Sequence, residues 1–220
     1  MTAIALNLKK ILKGLPEEVT LIAVSKTKSP GEIMEAYEAG HRDFGENKVQ
    51  EMVWKQEELP KDIRWHMIGH VQRNKVKYMA SFVHLVHGVD SMKLLREINK
   101  QGAKHKRIIT CLLQVHIAKE ETKFGLDERE LTELLLELSY ESLANVDVVG
   151  LMGMATFTDN EEQLASEFNY LSDLRARLTQ DYPQLKELSM GMSGDYQLAI
   201  EFGSTMVRIG SSIFGSRNYH

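Results

Sequence analysis

The 220-residue chain is poor in cysteine, proline and aromatic residues and has no long apolar run. Its one cysteine, Cys111, excludes an internal disulfide and fits a reducing, cytoplasmic setting. Cys111 falls in the apolar run Ile108 to Val115, where a free thiol packs as a small hydrophobe. Four prolines and 15 glycines are too few for a collagenous or low-complexity chain. No stretch reaches the roughly 18 to 20 apolar residues of a membrane span, and Met1 to Leu15 lacks the apolar core of a signal peptide. With 27 basic and 31 acidic side chains the net charge is −4, which argues against a nucleic-acid partner. The 43% hydrophobic content is enough for one large core, so residues 1–220 are expected to form a single domain.

Runs that read as strands recur at Thr20 to Lys26, Asp43 to Glu46, Arg64 to His70, Phe82 to Val89, Arg107 to Ile117, Val146 to Thr156, Glu187 to Ser193 and Met206 to Phe214. Helical patterns lie between them. Ser29 and Pro30 read as cap and first helical position, with Gly40 as the stop, and Thr158 to Glu161 reads as a capping box before a long helix. Leu21-Ile22-Ala23-Val24 and Ile108 to Leu113 are apolar on both faces, as parallel strands covered on both sides require. Eight β/α alternations with right-handed crossovers close most naturally into a (β/α)8 barrel, preceded here by an extra N-terminal helix. The open doubly wound sheet is the alternative, but the glycine fingerprint after its first strand is missing.

Barrel enzymes build their sites at the C-terminal ends of the strands. Lys26 ends the first, in phase with Ile22 and Val24, so its amine is expected at the rim of the interior. A partly desolvated lysine there is a candidate for condensation with an aldehyde or ketone; the plain alternative is a surface lysine opening a loop. Met190 to Asp195 and Gly210 to Ser212 close the seventh and eighth strands with glycines and small hydroxyl residues, which let backbone amides approach an anion. Turn chemistry alone explains either segment singly; both together, opposite a rim lysine, favour a phosphate. Arg208 falls mid-strand between Val207 and Ile209, where its charge must find acceptors. A carboxylate such as Glu46 and a bound heteroaromatic ring or phosphate remain equal readings. His66 and His70 share a strand face but have no third ligand nearby, so no metal is expected; Trp54, Trp65 and the methionines 152, 154, 190 and 192 read as packing, the methionines inside the barrel.

Six segments taken together carry a resemblance: Ala23 to Lys28, Phe44 to Glu51, Trp65 to His70 with Gln72, Gly150 to Ala155, Leu188 to Ser193, and Gly203 to Gly210 through Ile213 to Gly215. They resemble the YggS/PROSC family of pyridoxal phosphate (PLP) homeostasis proteins over nearly the whole chain. The resemblance implies a single TIM barrel of PLP fold type III, like the N-terminal domain of alanine racemase, holding PLP as a lysine imine. By position, Lys26 is the imine lysine, Met192-Ser193-Gly194 and Gly210-Ser211 are the phosphate-binding segments, and Arg208 is the arginine on the cofactor side. Asn47 and His70 fall at rim positions. Lys48, where many relatives carry tyrosine, and His70, where some carry proline, depart from the pattern without touching the lysine or the phosphate turns.

An imine joined to a phosphate clamp holds the cofactor tightly yet reversibly, because hydrolysis or exchange with an amine releases it. An arginine beside the pyridine nitrogen supplies no proton and opposes one, which weakens the ring as an electron sink. The racemases add a base from a second domain, for which this chain has no room. The expectation is a PLP carrier that stores, buffers or delivers the cofactor, with little or no turnover, as a monomer that meets PLP-dependent client enzymes transiently. The alternatives are an amino-acid racemase pairing Lys26 with His70, and a Schiff-base aldolase that takes a sugar phosphate directly.

Overall fold

A computed structural model describes residues 2–120 and 123–215. Met1, residues 121–122 and residues 216–220 of the expected 1–220 domain lie outside the described residues. The chain runs α1 (Ala3–Lys13), β1 (Thr20–Val24), α2 (Pro30–Glu38), β2 (Asp43–Glu46), α3 (Val49–Glu58) and β3 (Arg64–Met67). It continues through α4 (Val76–Met79), β4 (Leu85–Val89), α5 (Met92–His105), β5 (Ile109–Val115), α6 (Glu128–Tyr140) and β6 (Val146–Gly153). The last elements are α7 (Glu161–Leu178), β7 (Glu187–Met192), α8 (Tyr196–Glu201), β8 (Met206–Ile209) and α9 (Ser211–Phe214).

The eight strands are parallel and close in chain order, with β1 beside β8 in the register Thr20 to Met206 and Ala23 to Ile209. The expected barrel, with its extra leading helix, is therefore present. Local chemistry sets the helix starts. Ser29 accepts from the Glu32 amide while Glu32 answers the Ser29 amide, and Asp127 and Glu130 repeat the exchange before α6. The start of α7 differs from the expected capping box: Asn160 caps Gln163, and the Thr158 hydroxyl is taken by the Asn160 amide at 3.2 Å.

Several strands stop short of the runs that announced them. The apolar residues of Met206 to Phe214 serve two elements, since β8 ends at Ile209 and Ile213 and Phe214 are buried from the short helix α9, whose Ile213 carbonyl accepts from the Asn7 amide of α1. Burial, not the hydrogen-bond ladder, keeps such a run apolar. The main core fills the layer between sheet and helices and includes Phe44, Trp65, Cys111 and Phe168. A smaller cluster of Leu85, Leu112 and Met152, with Met154 and Met206 against it, lies apart from that layer. Of the four methionines expected inside, Met190 belongs instead to the outer core, because it alternates with inward-facing Ser189; the irregularity between Ser189 and Met192 in the β7/β8 pairing lets Met192, of the same parity, line the cavity. Trp54, expected to pack, is 45% exposed and donates to Glu58. No helix among the described residues is long and apolar enough to cross a membrane.

Candidate functional site

Lys26 stands two residues beyond β1, half-buried, on the wall of a cavity of about 660 Å³ at the C-terminal ends of the strands. The backbone around it is held from α3. Thr27 adopts φ +66°, an unfavourable conformation for a β-branched residue, and its amide donates to Glu51 Oε1 at 2.6 Å. Lys55, fully buried, donates to Ser25 O, Glu46 Oε1 and Glu51 Oε1 at 2.7–2.8 Å, and the Ser25 hydroxyl donates to Glu46 at 2.6 Å. Burial pushes the Glu46 carboxyl up despite the attraction of Lys55, and its Oε2 is buried without a partner. Glu46 is thus committed to Lys55, which removes it as the counter-charge for Arg208.

The closing turns form the opposite wall. Gly191 has φ +92°, and a Cβ there would come within 2.7 Å of the Ala199 methyl, so only glycine lets α8 pack this closely on β7. The Met192 amide donates to Asp195 Oδ1 at 2.5 Å, fixing the turn through Ser193 and Gly194; burial raises the Asp195 carboxyl. The two turns are joined, since the Gly210 amide donates to Ser193 Oγ at 3.2 Å. Ser211 and Ser212 open α9, where amides have no carbonyl one turn earlier to bond. Lys28 Nζ donates to Phe214 O at 3.0 Å and so ties the loop after β1 to that helix.

Arg208 is 3% exposed and reaches the same cavity from β8. It donates to Ser189 Oγ at 2.6 Å and to Gly153 O at 2.9 Å, and burial brings its guanidinium down to about 10, a cost that Asp195 partly offsets. Behind it, polar side chains continue across the barrel: Ser189 Oγ lies 3.0 Å from His87 Nδ1, His87 Nε2 lies 3.0 Å from His66 Nδ1, and His66 Nε2 lies 3.1 Å from Asp43 Oδ1. Asp43 also pairs with Arg64. Of this series, Arg208 was expected from the sequence at the site and His66 stood out only as half of a rejected metal pair. The available signal was parity, because polar residues at the inward positions of parallel strands need one another. Asp43, His66 and His84 place ligand atoms within 4.8 Å of one another, a grouping that the spacing of His66 and His70 did not reveal, but both Asp43 oxygens are already engaged by Arg64 and His66.

One cavity collects Lys26 and Asn47 with Met192, Ser193, Gly194, Arg208, Gly210 and Ser211. Asn47 Oδ1 is buried there without a hydrogen-bond partner. His70 is not part of the lining. β3 ends at Met67, so the parity that joined His66 to His70 lapses; the His70 ring sits 3.1 Å from Asp90 and stacks on Phe124 with centroids 4.3 Å apart. Met154, Thr156 and Phe157 from the loop after β6 complete the mouth, a contribution that sequence reasoning did not assign. Phe157 is 91% exposed.

A closed parallel barrel with a rim lysine, two joined small-residue turns and a buried arginine in one cavity defines the barrel class represented by the N-terminal domain of alanine racemase, and the family model "Alanine racemase, N-terminal domain" matches residues 1–218. The Vibrio alginolyticus pyridoxal phosphate homeostasis protein is 44% identical over 210 residues, 93% of this chain and 89% of its own length. PipY of Synechococcus elongatus, solved with PLP bound, is 38% identical with a TM-score of 0.89, covering 96% of this chain and all of that one. Alanine racemase from E. faecalis, 18% identical with a TM-score of 0.70, shares the fold over 98% of this chain and 58% of its own. The chain belongs to the YggS/PROSC family of the alanine racemase N-terminal-domain type.

Proposed function

We propose that the protein binds pyridoxal 5'-phosphate through Lys26 and serves intracellular PLP homeostasis as a carrier with little or no turnover. The observation that carries this reading is the meeting of Lys26, the joined turns after β7 and β8, and Arg208 in one cavity. The residues fit the group. First-turn amides of α9 and the Ser193-Gly194 turn suit a phosphate, Asn47 Oδ1 is an acceptor for a ring hydroxyl, and Arg208 offers donors to a heteroaromatic ring. When bound, pyridoxal phosphate supplies an aldehyde that condenses reversibly with an amine. Lys26 Nζ would be the amine that takes up the aldehyde carbon with loss of water, and water or a free amine would reverse it. Glu51 and Lys55 hold the backbone on either side of Lys26, at the Thr27 amide and the Ser25 carbonyl, in place for that exchange.

His70 does not line the cavity, which argues against a racemase that pairs it with Lys26 as a second base. The V. alginolyticus relative, a homeostasis protein by name, supports the carrier reading. We take the protein to be a cytoplasmic monomer that releases the cofactor to client enzymes. The test is α-proton exchange of alanine and serine in deuterated water by the PLP-loaded protein. Exchange no faster than with free PLP is expected; exchange at enzymatic rates overturns the carrier.

A further inference from the structure

The series from Asp43 to Arg208 has an acceptor-only carboxylate at one end and a donor-only guanidinium at the other. Burial raises the Asp43 carboxyl, but the hydrogen bonds from His66 and Arg64 outweigh it and hold the group well below the usual carboxylate range, so Asp43 is ionised. His66 and His87 are fully buried, and burial drives both toward the neutral form. These ends fix every hydrogen between them. An ionised Asp43 can only accept, so His66 Nε2 carries the proton. A neutral His66 must then accept at Nδ1 from His87 Nε2–H, and a neutral His87 must accept at Nδ1 from the Ser189 hydroxyl. Ser189 Oγ, with its proton spent on His87, offers its lone pairs to Arg208 Nη1.

We propose that Asp43, His66, His87 and Ser189 form a one-way hydrogen-bond chain through the barrel that fixes Arg208 toward the bound cofactor, and that these four are positioning residues for the PLP site. The role rests on the reading of the cavity as a PLP site; the proton arrangement does not. A buried guanidinium without a hydrogen-bonded carboxylate receives, through three polarised links, the negative end of a distant one. The chain also explains why four polar residues occupy inward positions on β2, β3, β4 and β7 that apolar residues would otherwise fill. Each satisfies its neighbour, and removing one leaves the next buried and unpaired. The Gly153 carbonyl holds the other side of the guanidinium, so Arg208 has a defined orientation rather than a range of them.

Imidazole ¹⁵N spectra of the full protein without cofactor test the arrangement directly. Both His66 and His87 are expected to be neutral with the proton on Nε2 at pH 7; a proton on Nδ1 of either ring, or an imidazolium, overturns it. The positioning role is read from Ser189→Ala: the Kd for PLP rises about tenfold and the absorption maximum of the lysine-linked cofactor shifts, while Ser189→Thr, which keeps the hydroxyl, restores both. An unchanged Kd and band in Ser189→Ala overturns the role. If that variant does not fold, His87→Gln is measured by the same two criteria. Absence of a lysine-linked band in the unaltered protein refutes the PLP reading instead and leaves the ¹⁵N result standing.

Discussion

The Thr27 amide donates to Glu51 Oε1 at 2.6 Å, and the same oxygen accepts from buried Lys55. The left-handed turn directly after Lys26 is therefore braced from a neighbouring helix, and the lysine's position depends on residues outside the cavity lining. Replacing Glu51 with Ala removes the acceptor that offsets the strain at Thr27. PLP affinity is expected to fall about tenfold, while Glu51→Gln, which still accepts from the amide, keeps most of it; fluorescence titration with PLP distinguishes the two.

Lys55→Met leaves Glu46 buried opposite a side chain that cannot donate. Breaking a buried pair from one side typically costs about 3–5 kcal/mol, and urea unfolding should show a loss of that order. The double variant Lys55→Met with Glu46→Leu should recover much of it, because no fully buried charge is then left uncompensated; Glu51, which also loses Lys55, is partly exposed and keeps the Thr27 amide.

Asn47 gives effects of opposite sign. Its buried Oδ1 has no partner, so Asn47→Ala is expected to stabilise the cofactor-free protein by about 1 kcal/mol. The same change should weaken PLP binding several-fold. Thermal melting without cofactor and a PLP titration check the two halves; a loss of stability together with unchanged binding contradicts the assignment of Asn47 to the site.

The buried histidines set an acid dependence. His41, His66 and His87 have lowered values through burial, so the unfolded chain binds protons near pH 6.5 that the folded chain does not. Stability therefore rises with pH through that range and falls as pH drops below it. Asp43 acts lower: its contribution is complete above its ordinary value of 3.8 and is lost on further acidification. Urea midpoints from pH 8 to 5 should decline, and the decline should be shallower in His87→Gln.

Much of this architecture was legible in the sequence. Val24 and Lys26 both line the cavity, as their shared parity indicated, although β1 ends at Val24, and the glycines after β7 and β8 mark turns where backbone must come close. The failures have physical reasons. His70 was read on a strand that ends three residues earlier, after which alternation no longer says where a side chain points. Arg208 was given Glu46 as a possible partner because both are charged residues on barrel strands. β1 separates β2 from β8, and Glu46 bonds to Lys55 of α3. The interior chain was missed because each link is a single polar residue on a different strand, and only barrel closure brings β2, β3, β4, β7 and β8 around one axis.

The central claim is the covalent capture of PLP by Lys26. The protein incubated with PLP should show an absorption band that sodium borohydride abolishes, and peptide mass spectrometry after reduction should place a phosphopyridoxyl group on Lys26, with no such band in Lys26→Ala. Label on another lysine, or a borohydride-sensitive band that persists in Lys26→Ala, would contradict the account.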